Sequence, residues 1–259
     1  MSLTDLSLPG FRKHAHPVGC FVNHLVNLFV RAAAAELRLA SPVLEIGSFQ
    51  VPGQEEMANL RTYFPSCEYI GTDMRPGPGV DRVEDAHNLS FPDRSIGTIL
   101  MMETIEHIVN PIRALSEVRR VLRPGGVLVL SAPFALDIHN HPSDYWRMTP
   151  EGCNVLLEAI GARLVGSIGP RVAPCFVLGA AFIGEDSAVF KTRCAALVER
   201  FRAELRADRA TARLRRLYQG QRWLTGWLPF KEVRRVYRRR AQCFDTHFWF
   251  STGSETVSL

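Results

Sequence analysis

Two carboxylates in apolar runs are the first residues of this chain that could do chemistry. Glu45 sits inside Val43-Leu44-Glu45-Ile46-Gly47, and Asp73 closes Tyr69-Ile70-Gly71-Thr72-Asp73. A carboxylate accepts hydrogen bonds from both hydroxyls of a diol, and an acid ending a second strand is where a ribose is held in nucleotide-type sites. Each acid also has a plain structural use, Glu45 at a strand end and Asp73 as a cap of the following loop. A second group crowds the polar, aromatic stretch 132–148: His139, His141, Asp144, Tyr145, Trp146 and Arg147. Here His139 or His141 could take a proton from an acceptor hydroxyl, while Asp144 or Arg147 oriented the acceptor. Alternatively, Asp144 and Arg147 pair with each other and pin the loop, with Tyr145 and Trp146 as packing anchors. Two histidines are also metal-ligand types, but no carboxylate cluster accompanies them at ligand spacing, so no metal site is expected.

The surrounding patterns supply the elements that must position these groups. Phe21, Leu25, Leu28 and Phe29 share one face of a helix over 21–39, which Ser41-Pro42 ends. Val43–Ile46 reads as a first strand, and Gly47 to Gly53 as a turn leading into a helix over 54–64. That geometry would set a helix N-terminus against a ligand. Further strands are expected at 69–72, 80–83, 98–102 and 127–131. A helix over 111–122, capped by Asn110 with Pro111 in its first turn, precedes the turn Arg123-Pro124-Gly125-Gly126. Thr149-Pro150 opens another helix, and 162–168 and 176–183 read as a last pair of strands, antiparallel at one edge. Continuously apolar strands alternating with helices mean a mostly parallel sheet of seven strands, covered on both faces.

These motifs occur in a familiar order. Val43 to Gly47 and Tyr69 to Asp73 are followed by Glu84-Asp85-Ala86 and then Leu89-Ser90-Phe91-Pro92-Asp93-Arg94-Ser95. Glu106-His107-Ile108 comes next, and then Glu117-Val118-Arg119-Arg120-Val121-Leu122-Arg123-Pro124-Gly125-Gly126. The set resembles the class I S-adenosylmethionine-dependent methyltransferases, the type 11 group in particular, over residues 40–185. The resemblance implies an α/β, Rossmann-like, doubly wound fold and S-adenosylmethionine as cofactor. It places the cofactor against Glu45, Gly47, Ser48, Asp73, Met74, Asp85, Ala86 and Glu103, with the acceptor loop around His139, His141, Asp144 and Arg147. The His141 to Arg147 run resembles members that accompany glycan enzymes. The expected reaction is therefore methyl transfer to an oxygen of a small molecule or of a saccharide or lipid-linked acceptor. One departure stands out. The family usually has alternate glycines in the first turn, whereas Gly47 is followed here by Ser48, Phe49, Gln50 and Val51. That favours a rival expectation, a non-catalytic adaptor with the same fold.

The bulk properties suit a folded domain with an appendage. The chain has 259 residues and six scattered cysteines without a CxxC pair, which fits a reducing compartment and argues against a zinc or disulfide framework. Arg12 and Lys13 before an apolar stretch loosely mimic a signal peptide, but Asn23, His24 and Asn27 interrupt it, so a cytoplasmic protein is expected. Residues 191–240 carry 16 Lys/Arg against 4 Asp/Glu, so the basic character belongs to this segment. Leu197, Phe201, Leu205, Leu214 and Leu217 recur there at helical intervals, and Trp223, Trp227, Phe230 and Tyr237 interleave with arginines. The resulting expectation is three regions: 1–40 a lead-in and helix, 41–185 the methyltransferase domain, 186–259 a basic helical extension. The extension could pack on the domain, touch an anionic membrane surface or hold a phosphate-bearing substrate; nucleic acid is disfavoured, and the oligomeric state is left open.

Overall fold

The computed structural model describes residues 17–52, 55–136, 138–139, 142–171, 174–184, 186–208, 245–252 and 255–259. In chain order the elements are α1 (Pro17–Glu36), β1 (Val43–Ile46), α2 (Glu55–Ala58), a 3-10 turn (Leu60–Tyr63), β2 (Tyr69–Asp73), β3 (Arg82–Val83) and β4 (Ile96–Met102). A second 3-10 turn (Ile105–His107), α3 (Pro111–Val121), β5 (Leu122–Pro133), α4 (Pro150–Glu158), β6 (Ala162–Ile168) and β7 (Phe176–Phe182) follow, then α5 (Ser187–Ala207), β8 (Thr246–Thr252) and β9 (Glu255–Ser258).

The strands form one sheet of order β3-β2-β1-β4-β5-β7-β6-β8-β9. β3 to β5 pair in parallel, and β7 turns antiparallel on β5. All seven expected strands are present, and β8 and β9 extend the sheet to nine. β1 is buried at every position and β4 at all but its last. Such strands lie between two covered faces, as their unbroken apolar sequences require. One apolar cluster gathers α1, α5 and one face of the sheet; the other gathers α3, α4 and the opposite face.

The helices begin where their capping residues are. Asn110 Oδ1 accepts the Arg113 N–H at 3.1 Å and Thr149 Oγ1 accepts the Gly152 N–H at 2.9 Å, satisfying amides that a helix's first turn leaves open.

The expectation of a single helix over 54–64 is corrected. α2 holds four residues and stops at Asn59, after which the chain tightens into a 3-10 turn. Asn59 lies outside helical geometry (φ −84°, ψ 88°), and its carbonyl accepts the Thr62 hydroxyl at 3.2 Å. Short polar side chains of this kind compete with the helix ladder. Gly53 and Gln54 lie outside the described residues.

The C-terminal stretch opens with the expected helix, and that helix packs on the domain. α5 buries Phe190, Leu197, Phe201 and Leu205 in the cluster that also holds α1. Phe29 of α1 meets Phe201 of α5 edge-on at 5.4 Å and stacks on Phe248 of β8 at 6.4 Å. Ion pairs reinforce the seam, Arg31 to Glu204 at 3.1 Å and Arg200 to Glu36 at 3.0 Å. β8 pairs with β6 along Arg163 to Ile168. One apolar cluster thus holds residues from both sides of residue 185. The apolar face of α5 is covered by the protein's own core. The arginine- and tryptophan-bearing part, 209–244, lies outside the described residues.

Candidate active site at the strand ends

The C-terminal ends of β2, β1, β4 and β5 open onto a cavity of about 850 Å³. Crevices at this edge of an open α/β sheet are where ligands bind, and the volume is that of a small-molecule or cofactor site. Glu45, Gly47, Ser48, Asp73, Met74, Asp85, Ala86 and Glu103 all line it, as do His107, His139 and Tyr145.

At β1, Glu45 is only 8% exposed. Its Oε2 accepts the Tyr69 hydroxyl at 2.6 Å, and Tyr69 lies beneath the Arg61 guanidinium, 4.7 Å from its ring centre. Burial pushes the carboxyl from 4.5 up to about 7, against the opposing pull of the Tyr69 hydrogen bond and the Arg61 charge. The same contact and burial push the Tyr69 phenol upward. Glu45 therefore has both a structural partner and a place on the cavity wall.

The turn after β1 explains its one glycine. Gly47 stands at φ +87°, and a side chain there would meet Thr104 Oγ1 at 2.2 Å. The Thr104 hydroxyl lies 2.9 Å from the Met102 carbonyl and 3.1 Å from that of Ile46, tying the β4 end to the β1 end. Gly47 thus serves the junction between two strand ends as well as the cavity. Phe49 fills the position where a glycine was expected. Its ring lies against Gly77, where an added Cβ would come within 2.2 Å of Phe49 Cε2, and under the Arg75 guanidinium at 4.5 Å. The aromatic is accommodated by a glycine in the neighbouring loop.

Asp73 accepts the Arg75 backbone N–H at 3.0 Å and the Arg75 Nε–H at 3.3 Å, both through Oδ1. That leaves Oδ2 for a ligand diol. Met74 beside it is 61% exposed and forms an apolar rim. Asp85 is turned to His87: its Oδ1 accepts the His87 N–H at 2.8 Å and lies 2.7 Å from Nδ1. These contacts hold its carboxyl below the usual range, the backbone bond contributing most.

Past β4 the chain turns sharply. Glu103 takes φ +48°, and its N–H is held by Ser131 Oγ at 3.0 Å. Burial pushes the Glu103 carboxyl up to about 7, opposed by a hydrogen bond from Ser131 and the Arg147 charge. Its Oε1 and the Ser48 hydroxyl are both buried without a hydrogen-bond partner, and both residues line the cavity. Glu106 is fully buried. Burial and then the Glu103 charge hold its carboxyl well above the usual range.

The loop after β5 separates the expected acceptor residues. His139 lines the cavity; His141 lies outside the described residues. Asp144, with a side chain 2% exposed, accepts Arg147 Nη1–H at 2.5 Å and Nη2–H at 2.6 Å. It also accepts the His139 backbone N–H at 2.9 Å, and these bonds hold its carboxyl down at about 2. Neither Asp144 nor Arg147 lines the cavity. The two residues make the mutual pairing that was the alternative expectation, and it fixes the loop. Trp146 Nε1–H donates to the Ile108 carbonyl at 2.8 Å, joining this loop to the one after β4. Sequence reasoning gave no role to His107, whose ring stands edge-on to His139 at 5.1 Å.

A family model described as a methyltransferase domain matches residues 53–130. Over that stretch the chain is similar to the type 11 methyltransferases. The methyl donor of that family is S-adenosylmethionine. An uncharacterized 37.1 kDa protein in transposon TN4556 of Streptomyces fradiae is 45% identical over 39% of this chain and 32% of its own length. The phthiotriol/phenolphthiotriol dimycocerosates methyltransferase 1 of Mycobacterium ulcerans is 34% identical over 40% of this chain and 42% of its own. A crystal structure of a SAM-dependent methyltransferase from Archaeoglobus fulgidus aligns with TM-score 0.48 and 17% identity, over 61% of this chain and 93% of that one. The chain spans about a third to two-fifths of the length of the curated relatives it matches. The residues present fit the cofactor. An oxygen of Asp73 remains for a ribose, and buried polar atoms of Ser48 and Glu103 without partners sit in residues of the cavity wall.

Proposed function

We propose that this protein transfers the methyl group of S-adenosylmethionine to an oxygen of a small-molecule, saccharide or lipid-linked acceptor. The observation that carries the reading is a single cavity lined both by Asp73, at the end of β2, and by His107 and His139. Donor-binding and acceptor-facing groups therefore share one space. Bound there, the cofactor supplies an electrophilic methyl on a positively charged sulfur. Asp73 accepts hydrogen bonds from its ribose, and Glu45 and Glu103 lend negative potential to a cationic ligand. The loop pinned by Asp144 and Arg147 confines the acceptor, so that alignment of the two reactants does most of the catalytic work.

His139 takes the acceptor proton. Its Nδ1 lies 3.3 Å from Asp144 Oδ2, which keeps the proton on Nδ1, leaves the lone pair on Nε2 and stabilises the ring once it is charged. The glycan-related part of the acceptor assignment rests on the resemblance of residues 141–147 alone. The adaptor reading loses its main support, because Phe49 is accommodated against Gly77 and Arg75. No helix among the described residues is long and apolar enough to cross a membrane.

Calorimetric titration with S-adenosylmethionine and its demethylated product tests the first step, and saturable binding of both is expected. Transfer of labelled methyl to a panel of hydroxyl-bearing acceptors tests the second. Absence of binding sinks the enzyme reading, whereas binding with transfer only to nitrogen acceptors would overturn the oxygen assignment.

A further inference from the structure

Glu106 is the feature of this molecule that its methyltransferase fold does not account for. It stands in the 3-10 turn after β4, is 0% exposed, and neither of its carboxylate oxygens has a hydrogen-bond partner. Burying a carboxyl without partners is costly, and a structural role would be served as well by an apolar residue. What lies beside it is not apolar. Oε1 is 3.6 Å from His107 Nε2. One donor atom each from Glu106, His107 and His139 can be chosen so that all three lie within 4.8 Å of one another. Three donors bound to one ion at about 2.0–2.2 Å each stand within about 4.4 Å of each other, so the three side chains need close by only a few tenths of an ångström around an ion.

The two rings are also held in the way metal ligands are. His107 Nδ1 lies 2.6 Å from the Ser143 carbonyl oxygen, which can only accept, so Nδ1 carries the proton and Nε2 the lone pair. His139 Nδ1 faces the Asp144 carboxylate at 3.3 Å, giving the same tautomer. A backbone carbonyl on one ring and a carboxylate on the other are the outer partners that orient ligating histidines and raise their basicity. Glu103, three residues before Glu106 and likewise carrying a buried oxygen without a partner, adds a further carboxylate close by.

We propose that Glu106, His107 and His139 bind one divalent first-row transition cation at the acceptor side of the cavity. Two imidazoles and a carboxylate suit manganese, iron, cobalt or zinc better than magnesium, which favours all-oxygen shells. The site deepens the methyl-transfer reading and rests on it for its use. A cation here, with positions left open towards the cavity, would hold and acidify an acceptor hydroxyl. His139 would then serve as a ligand, and the proton would leave to solvent.

The test uses the full chain, dialysed against a chelator and titrated separately with Mn²⁺, Co²⁺ and Zn²⁺. Binding of one equivalent per chain is expected, with Co²⁺ giving the visible absorption of a nitrogen-ligated ion. His139→Asn should weaken the affinity for Mn²⁺ and Co²⁺ at least ~10-fold, as should Glu106→Gln. The His139 side chain is partly exposed, so its variant reports even where the buried Glu106 variant fails to fold. Lack of saturable binding by the parent protein, or affinities unchanged in a folded His139→Asn, overturns the site. Titration of the same dialysed protein with S-adenosylmethionine keeps the two ideas apart. Cofactor binding without cation binding defeats only the metal site, and cation binding without cofactor binding defeats only the methyltransferase reading.

Discussion

Replacing Glu45 by glutamine should make the protein's stability less sensitive to pH, and the direction follows from its burial. The folded protein holds this carboxyl at about 7 against 4.5 for an ordinary one. Between those two values the folded state keeps a proton that the unfolded chain has already released, so stability falls as pH rises through that window. Above pH 7 both states are ionised and the full cost is present, about 3 kcal/mol. From pH 5 to pH 8 the parent protein should lose about 2.5 kcal/mol on this account alone. Glu45→Gln cannot lose it, and its amide oxygen can still accept the Tyr69 hydroxyl, which donates to Glu45 at 2.6 Å. Glu103 and Glu106 titrate in both proteins and cancel in the difference. Urea denaturation of both at pH 5, 6, 7 and 8 measures it. The gap should move in favour of the variant by about 2.5 kcal/mol across the series. Parallel stability curves would refute the upward shift of the buried Glu45 carboxyl, and with it the idea that stability is given up there to keep a carboxylate ready for a cationic ligand.

Three more perturbations have defined outcomes. Asp73→Ala removes the acceptor for a ribose diol and should weaken S-adenosylmethionine binding about 100-fold, the loss of two charge-assisted hydrogen bonds after non-additivity; calorimetry showing an unchanged affinity would remove Asp73 from the site. Gly47→Ala forces a Cβ to within 2.2 Å of Thr104 Oγ1 at φ +87°, and should cost roughly 2–4 kcal/mol in urea unfolding, where a loss below about 1 kcal/mol would show that the turn relaxes freely. Phe201→Ala opens the seam between α1, α5 and β8 and should cost about 3–5 kcal/mol in one cooperative transition; a separate early transition confined to the C-terminal segment would show that it folds on its own.

The sheet was legible because its strands are unbroken apolar runs, and a strand buried on both faces has no other composition open to it. Caps at Asn110 and Thr149 were legible because they are local, each closing on an amide three residues on. β8 was not foreseen, although His247-Phe248-Trp249-Phe250 is a strand-like run. It follows a long basic segment, and its partner β6 lies some eighty residues earlier. Asn59 broke the expected helix through a competition for one carbonyl that periodicity does not reveal. In the site, the ordered motifs located the cavity wall from Glu45 to Glu103. The pairing of Asp144 with Arg147 was readable as an alternative from their three-residue spacing. The neighbourhood of Glu106, His107 and His139 was not, since it depends on how the loop after β5 folds back over the turn after β4. The signal present was Glu103-Thr104-Ile105-Glu106-His107, two acids and an imidazole on one short turn.

The aromatic contact of Phe29 with Phe201 and Phe248 also sets a timetable for synthesis. Residue 201 is made 172 positions after residue 29, which at ordinary elongation rates of about 5–20 residues per second is roughly 10–35 s later. Through that interval the part of α1 that meets α5 and β8 has no cover, while β1 to β5 can already pair with one another and with the rest of α1. Closing the molecule is thus a late, long-range event of the kind that slows folding. In a living cell the nascent chain would present Phe29 to chaperones or to other chains until Phe201 of α5 and Phe248 of β8 arrive.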